Sequence, residues 1–174
     1  MKKTSETNGM PDKRLAAVCG LFCPACSLFI STREDPKRLT TIAARLQRSA
    51  AELQCSGCRS EKRCFYCASC KMQSCAAAKK IDFCGQCPEY PCKELREFQA
   101  QRPHRLELWS SQERIKKVGY ETWYREMIEY YSCPECRTIN SAYDLACRKC
   151  GAIPSCTYVA IHKDEIVSQS PKRT

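Results

Sequence analysis

Apolar residues recur at helical spacing in three stretches of the chain. Leu39, Ile42, Ala43, Leu46, Ala50 and Leu53 fall on one face of a helix over roughly residues 36–53, with Lys37, Arg38, Arg45 and Arg48 off the stripe. Asp35-Pro36 opens it, because Asp caps a helix and the fixed φ of Pro suits the first turn. Leu95 and Phe98 mark a short helix over 93–101, stopped by Pro103. Residues 105–131 divide into two helices. Leu108, Trp109, Ile115 and Val118 line the first, and Trp123, Met127, Ile128 and Tyr131 the second. Gly119 between them supplies the residue after a helix end, with Tyr120 placed to fold back on Ile115. Positive and negative side chains balance across this pair, which predicts core rather than a binding face. Thr157 to His162 reads as a short strand. Residues 1–14 and 163–174 are polar and aperiodic, which predicts a disordered tail and a flexible one.

One stretch has no such pattern. From Cys55 to Cys92 the large apolar residues are Phe65, Tyr66, Met72, Ile81, Phe83 and Tyr90, with no Leu, Val or Trp. Ordering a backbone costs about 1–2 kcal/mol per residue, and this segment has little apolar surface to offset it. Over the whole chain Leu, Ile, Val and Phe make up 28 of 174 residues. So low a share together with high net charge usually means disorder. The 17 cysteines offer the alternative, order imposed by cross-links.

The cross-links read as metal. The N-terminal residues lack the apolar run of a secretory leader, and no long apolar run suits a membrane span. This predicts a cytoplasmic chain with reduced thiols, in which C-x2-C pairs are metal knuckles. Such pairs occur at 23/26, 55/58, 64/67, 67/70, 84/87, 133/136 and 147/150. Cys133, Cys136, Cys147 and Cys150 have the spacing of one tetrahedral zinc site. Cys19, Cys23, Cys26, Cys55, Cys58, Cys64, Cys67, Cys70, Cys75, Cys84, Cys87 and Cys92 suffice for three more. About four zinc sites are therefore expected, with the pairing of the twelve left open and Cys156 left over as a free thiol. The alternative cofactor for the N-terminal cysteines is an iron–sulfur cluster. Cys19-x3-Cys23-x2-Cys26 has radical-SAM spacing, although the chain lacks the βα repeats of those enzymes. Cys64-x2-Cys67-x2-Cys70-x4-Cys75 approaches the ferredoxin run, with its last gap one residue long and Ala76 in place of Pro.

The formal charge of +10 suggests nucleic acid, but four zinc–tetrathiolate sites at −2 each would reduce it to about +2. Much of the Lys and Arg excess then balances sulfur. No H-E-x-x-H, G-x-S-x-G, P-loop or dinucleotide fingerprint occurs, and His104 and His162 read as surface histidines. All-cysteine sites are closed, which argues for structure over catalysis. The expected function is a structural-zinc interaction module contacting a protein or a nucleic acid, with no membrane. An iron–sulfur or redox protein and a thiol or metal sensor are the alternatives.

Two resemblances add to this. Cys19-Gly-Leu-Phe-Cys23-Pro-Ala-Cys26, Cys55-Ser-Gly-Cys58-Arg59, the Cys64–Cys75 block and Phe83-Cys-Gly-Gln-Cys-Pro-Glu-Tyr-Pro-Cys92 together resemble the DUF3795 family of prokaryotic cysteine-rich proteins over about residues 18–100. Ile115 to Trp123 matches the Ile-Lys-x-x-Gly-x-Glu-x-Trp helix that precedes a C-terminal ribbon in some members. This resemblance implies metal binding and no particular reaction. Tyr131, the two knuckles and Asn140 between them resemble a RanBP2-type finger, which implies Arg137, Arg148 and Lys149 as RNA contacts. Arg137 stands where Gly commonly follows the second knuckle cysteine, which predicts a strained turn. The fold class expected is a small metal-stabilised α+β protein, mostly helical with zinc knuckles and ending in a C-terminal zinc ribbon. Its expected parts are a tail (1–14), a cysteine-rich multi-metal domain (15–103), a helical segment (104–131), the ribbon (132–162) and a flexible end (163–174).

Overall fold

The computed structural model describes residues 10–169. Its α-helices are α1 (Ser27–Glu34), α2 (Pro36–Leu46), α3 (Ala50–Leu53), α4 (Phe65–Ala68), α5 (Lys71–Lys79), α6 (Lys93–Ala100), α7 (Leu108–Val118), α8 (Tyr120–Tyr131) and α9 (Thr157–Gln169). Short 3-10 turns cover Lys13–Leu15, Cys23–Ala25, Cys84–Gln86 and Pro103–Arg105. Among the described residues β pairing is limited to two isolated antiparallel bridges, Ala16↔Phe22 and Ser132↔Ile139. The expected α+β class with a C-terminal ribbon sheet is therefore corrected to a helical fold punctuated by knuckles.

The strand expected over Thr157–His162 is the first part of α9, which bends at His162 (φ −109°, ψ 23°). Its buried residues are Tyr158, Val159 and Ile166, while Ile161 and Val167 lie 59% and 53% exposed. Thr157, Val159 and Ile161 alternate as a strand's residues would, but Ile161 faces solvent. The helix continues through Gln169, so residues 163–169 of the expected flexible end are helical; 170–174 lie outside the described residues. Of the expected N-terminal tail, residues 1–9 also lie outside them. Asp12 caps the turn that follows it by accepting from the Arg14 N–H at 2.9 Å.

The single helix expected over 36–53 is two helices. Gln47 adopts the left-handed conformation (φ 52°, ψ 45°). Gln47 and Arg48 donate back to Ala44 and Ala43 at 3.2 and 3.0 Å, which closes α2. Ser49 and Glu52 then form a reciprocal capping box that starts α3.

Three apolar clusters hold these elements. The largest joins α8 and α9 to Phe22 and Phe83 of the cysteine block and to Ala142. Phe22 meets Trp123 and Tyr124 edge-on at 6.0 and 5.0 Å and stacks on Tyr131 at 5.9 Å, and Tyr131 stacks on Tyr158 at 5.3 Å. Aromatic pairs at such distances add about 0.5–1.5 kcal/mol beyond area burial. A second cluster gathers Val18, Met72, Ala76, Leu95 and Leu108 around Cys19 and Cys58. The third packs Leu28, Leu39, Ala43 and Leu53 around Cys55 and Cys64. As expected, α7 and α8 meet at Gly119 (φ 81°), whose N–H donates to Ile115 at 2.9 Å. No helix among the described residues is long and apolar enough to cross a membrane.

Candidate metal centres

All 17 cysteines are free of disulfides. Cys133, Cys136, Cys147 and Cys150 bring their sulfurs within 4.8 Å of one another. Cys133 lies 3.6 Å from Cys150 and Cys136 lies 3.5 Å from Cys147. Tetrahedral zinc with Zn–S near 2.3 Å places thiolates roughly 3.8 Å apart, so this set fits one ion. Two knuckles of the same design build it. Cys133 N–H donates to Thr138 O and Arg137 N–H to Cys133 O, both at 2.9 Å. Cys147 N–H donates to Ala152 O at 2.8 Å and Gly151 N–H to Cys147 O at 2.9 Å. Arg137 and Gly151 hold equivalent places, and both have positive φ, 61° and 79°. The strain expected at Arg137 is therefore present.

Asn140 ties the two knuckles together. It is fully buried. Its amide donates to Thr138 O at 2.9 Å, to Ser155 O at 3.1 Å and to Cys147 Sγ at 3.6 Å. Its carbonyl oxygen accepts from the Arg148 N–H at 3.0 Å. Burial pushes the Cys147 thiol up. The N–H groups of Cys150 and Lys149, the Asn140 amide and the Cys136 thiol outweigh that and bring it down to about 6. The Thr138 hydroxyl and N–H lower Cys136. A thiol already biased toward thiolate is ready to bind metal without first losing a proton. Asn140, placed between the knuckles by the finger resemblance, thus bonds to both of them.

The side chains suggested for RNA contact are largely occupied. Arg148 reaches Glu34 at 2.5 Å and Ile139 O at 3.0 Å, and Arg137 pairs with Glu129. Arg38 forms a half-buried pair with Asp144 at 2.8 Å, and Ser27 meets Ser141 at 3.0 Å. These bonds dock the C-terminal knuckles onto α1 and α2.

The twelve N-terminal cysteines are arranged differently. Cys55, Cys64 and Cys67 lie together in the third apolar cluster. Hydrogen bonds from the Cys64 and Cys67 thiols push Cys55 toward thiolate, while Cys67 is pushed up by the same exchange. Cys26 starts α1; burial raises its thiol, N–H groups of Phe29 and Leu28 oppose that, and Cys55 is within electrostatic reach. Cys26 as a residue is exposed. Burial likewise raises Cys19, Cys23 and Cys58, and pushes Cys84 up to about 12. Raised thiols must release protons to a metal on binding.

Gln112 of α7, which sequence reading passed over, locks two of these knuckles. Its amide donates to Val18 O at 3.0 Å and its carbonyl accepts from the Gly85 N–H at 2.7 Å. A Cβ at Gly20 or Gly85 would come within 2.9 or 2.7 Å of the Gln112 side chain. The repeated Cys-Gly pairs, 19–20 and 84–85, were the available signal. The two histidines are also engaged. Arg105 donates to His104 Nε2 at 3.3 Å, so Nδ1 carries the proton toward the Tyr143 oxygen at 2.6 Å. Burial, then Arg105 and Arg102, hold His104 down to about 3. His162 Nε2 meets Glu107 at 2.7 Å, and Glu107 also accepts from Tyr130 at 2.5 Å. Cys156 is buried in the aromatic core, apart from the four-sulfur set.

No curated protein and no solved structure matches the chain. The RanBP2-type resemblance of the C-terminal knuckles accordingly rests on their residues alone. Residues 15–97, which carry the twelve N-terminal cysteines, match the model of a family described as a protein of unknown function (DUF3795).

Proposed function

We propose that this chain is a zinc-stapled interaction module, in which bound metal fixes a helical scaffold that contacts a partner protein or nucleic acid. The observation that carries the reading is the Cys133–Cys136–Cys147–Cys150 set, with sulfur–sulfur distances of 3.5 and 3.6 Å and a donor set of four thiolates. Four thiolates fill the coordination sphere of zinc and leave no position for substrate. The histidines that could serve as acid or base are tied to Tyr143, Arg105 and Glu107. Exposed cations such as Lys37, Arg45 and Lys149, with the exposed ring of Tyr66, are available to a partner. Elemental analysis of anaerobically purified, reduced protein tests the metal. Zinc at about four per chain is the expected result, and no bound metal defeats the reading. A steep fall of nucleic-acid affinity with salt would select nucleic acid as the partner class.

One observation favours an iron–sulfur protein as a second reading. Among the described residues no three N-terminal cysteines bring their sulfurs within 4.8 Å of one another. The ligands of a four-iron cluster each cap a different iron and stand further apart than the ligands of one zinc ion. Brown colour, absorbance near 400 nm and acid-labile sulfide would establish it.

A further inference from the structure

We infer that the groove between the C-terminal knuckle and α9 docks a short segment of a partner protein, one that carries an apolar anchor beside an acidic residue. The inference rests on the interaction-module reading above and names the surface and the chemistry of the partner.

Leu145, Ile153 and Pro154 line the groove from the knuckle side, and Val159, Ala160 and Lys163 line it from α9. Its volume is about 240 Å³. That is below the roughly 300–1,000 Å³ of pockets that enclose a small molecule, and it suits the anchor side chains of a peptide that runs along the surface. Ile153 is 73% exposed and Leu145 38%, while Val159 is buried. Apolar residues exposed singly are ordinary, but these converge on one concave site. Val167, also exposed, follows Lys163 by one turn of α9 and extends the apolar strip. The knuckle side of the groove is held from within. Cys147 N–H donates to Ala152 O at 2.8 Å and the Asn140 amide to Ser155 O at 3.1 Å, so the two bonds bracket Ile153 and Pro154. Metal at Cys133–Cys150 would fix the same knuckle, and a preformed groove avoids the cost of ordering a wall on binding.

Charge selects the occupant. Among the described residues Lys163 is the one charged side chain that lines the groove. Lys149 stands exposed in the adjoining knuckle, and neither lysine enters an ion pair among the described residues. The acids nearest in sequence are directed elsewhere. Asp144 is paired with Arg38 at 2.8 Å, and Asp164 and Glu165 do not line the groove. A protein segment with an apolar anchor and an acid answers both features. A phosphate backbone would meet the cations and leave Leu145 and Ile153 uncovered. The segments of this sequence outside the described residues do not suit the groove either. Residues 170–174 read Ser-Pro-Lys-Arg-Thr, and 1–9 offer Met1 as their large apolar residue, next to Lys2 and Lys3.

The test selects a phage-displayed library of random peptides against the full chain, purified reduced and anaerobically, with metal counted on the same preparation. The expected result is enrichment of peptides that pair Leu, Ile or Phe with Asp or Glu. A synthetic copy of an enriched peptide should lose affinity at least about tenfold on Ile153→Ser. Lys163→Glu should turn the selection toward Lys and Arg, a reversal that a merely structural lysine would not produce. Both positions are exposed, so the variants are expected to fold, and their metal content checks it. Binding indifferent to Ile153→Ser, or enriched peptides without acids, overturns the inference. Self-association abolished by Ile153→Ser would give the groove to a second copy of the chain, and displacement of the peptide by single-stranded RNA would give it to nucleic acid; either result also overturns it. Metal-replete protein that enriches no peptide overturns the docking inference and leaves the metal reading standing, whereas metal-free protein that still enriches such peptides defeats the metal reading alone.

Discussion

In the C-terminal knuckle pair, four sulfurs at most 17 residues apart are gathered by two copies of one turn and a single buried amide, Asn140. In the block from Cys19 to Cys92, sulfurs come from helix starts, 3-10 turns and helix interiors, and Gln112 from a distant helix clamps two of the turns. The first arrangement is local, with Cys147 and Cys136 lowered and Cys150 raised by its neighbouring thiols. The second is dispersed, with Cys55 lowered and burial raising Cys19, Cys23, Cys58 and Cys84. A local site can preorganise itself, whereas a dispersed one depends on the metal to close long loops whose entropy it must overcome. The two regions should therefore respond differently to the same perturbation.

The largest effect should come from removing metal under reducing conditions. The N-terminal two-thirds is expected to lose most of its amide protection in hydrogen exchange while α7–α9 retain more. Equal loss in both regions would erase the contrast. Next in size is Asn140→Ala, which leaves Ser155 O, Thr138 O and the Arg148 N–H without their partner. A destabilisation of about 3 kcal/mol is expected, read as a shift of the urea midpoint together with weakened C-terminal metal retention and unchanged N-terminal metal count. Gln112→Ala should cost about 2 kcal/mol through the unpaired Gly85 N–H and the cavity left beside Gly20. Its signature is earlier alkylation of Cys19 and Cys84, with Cys147 unaffected. The smallest effect concerns the knuckle turns. Arg137→Gly relieves a left-handed residue and should gain about 0.5 kcal/mol, since its exposed ion pair with Glu129 adds little. Gly151→Arg should lose about 1 kcal/mol, although nothing lies within 4 Å to obstruct the added Cβ. The midpoint for C-terminal metal release reports both.

Much of this contrast can be read from residue order, and some cannot. The C-terminal set follows from spacing alone, because both knuckles are contiguous. The α7–α8 pair and its joint at Gly119 follow from periodicity and one glycine. Ser49 and Glu52 signalled a fresh helix start, yet the continuing stripe through Ala50 and Leu53 masked the break at Gln47. The start of α9 was misread because its β-branched residues imitate alternation; the polar run Lys163–Glu165 is the outer face of the same helix, with Ile166 returning to the core. Gln112 carries no signal of its own, since a polar residue in an amphipathic segment normally faces water, and Asn140 was marked only by its place in the finger resemblance. Only the glycines opposite Gln112 hinted at it. The role of Arg148 in docking on Glu34 depends on tertiary placement, which spacing does not encode.

Phe22 sits between Cys19 and Cys23 and drives its ring into the cage of Trp123, Tyr124 and Tyr131. That one side chain links sulfur chemistry at one end of the chain to an indole with 0% exposure at the other. Loosening the N-terminal knuckles should therefore shift the intrinsic emission, to which Trp109 beside Tyr90 also contributes, a change readable without dye, tag or label.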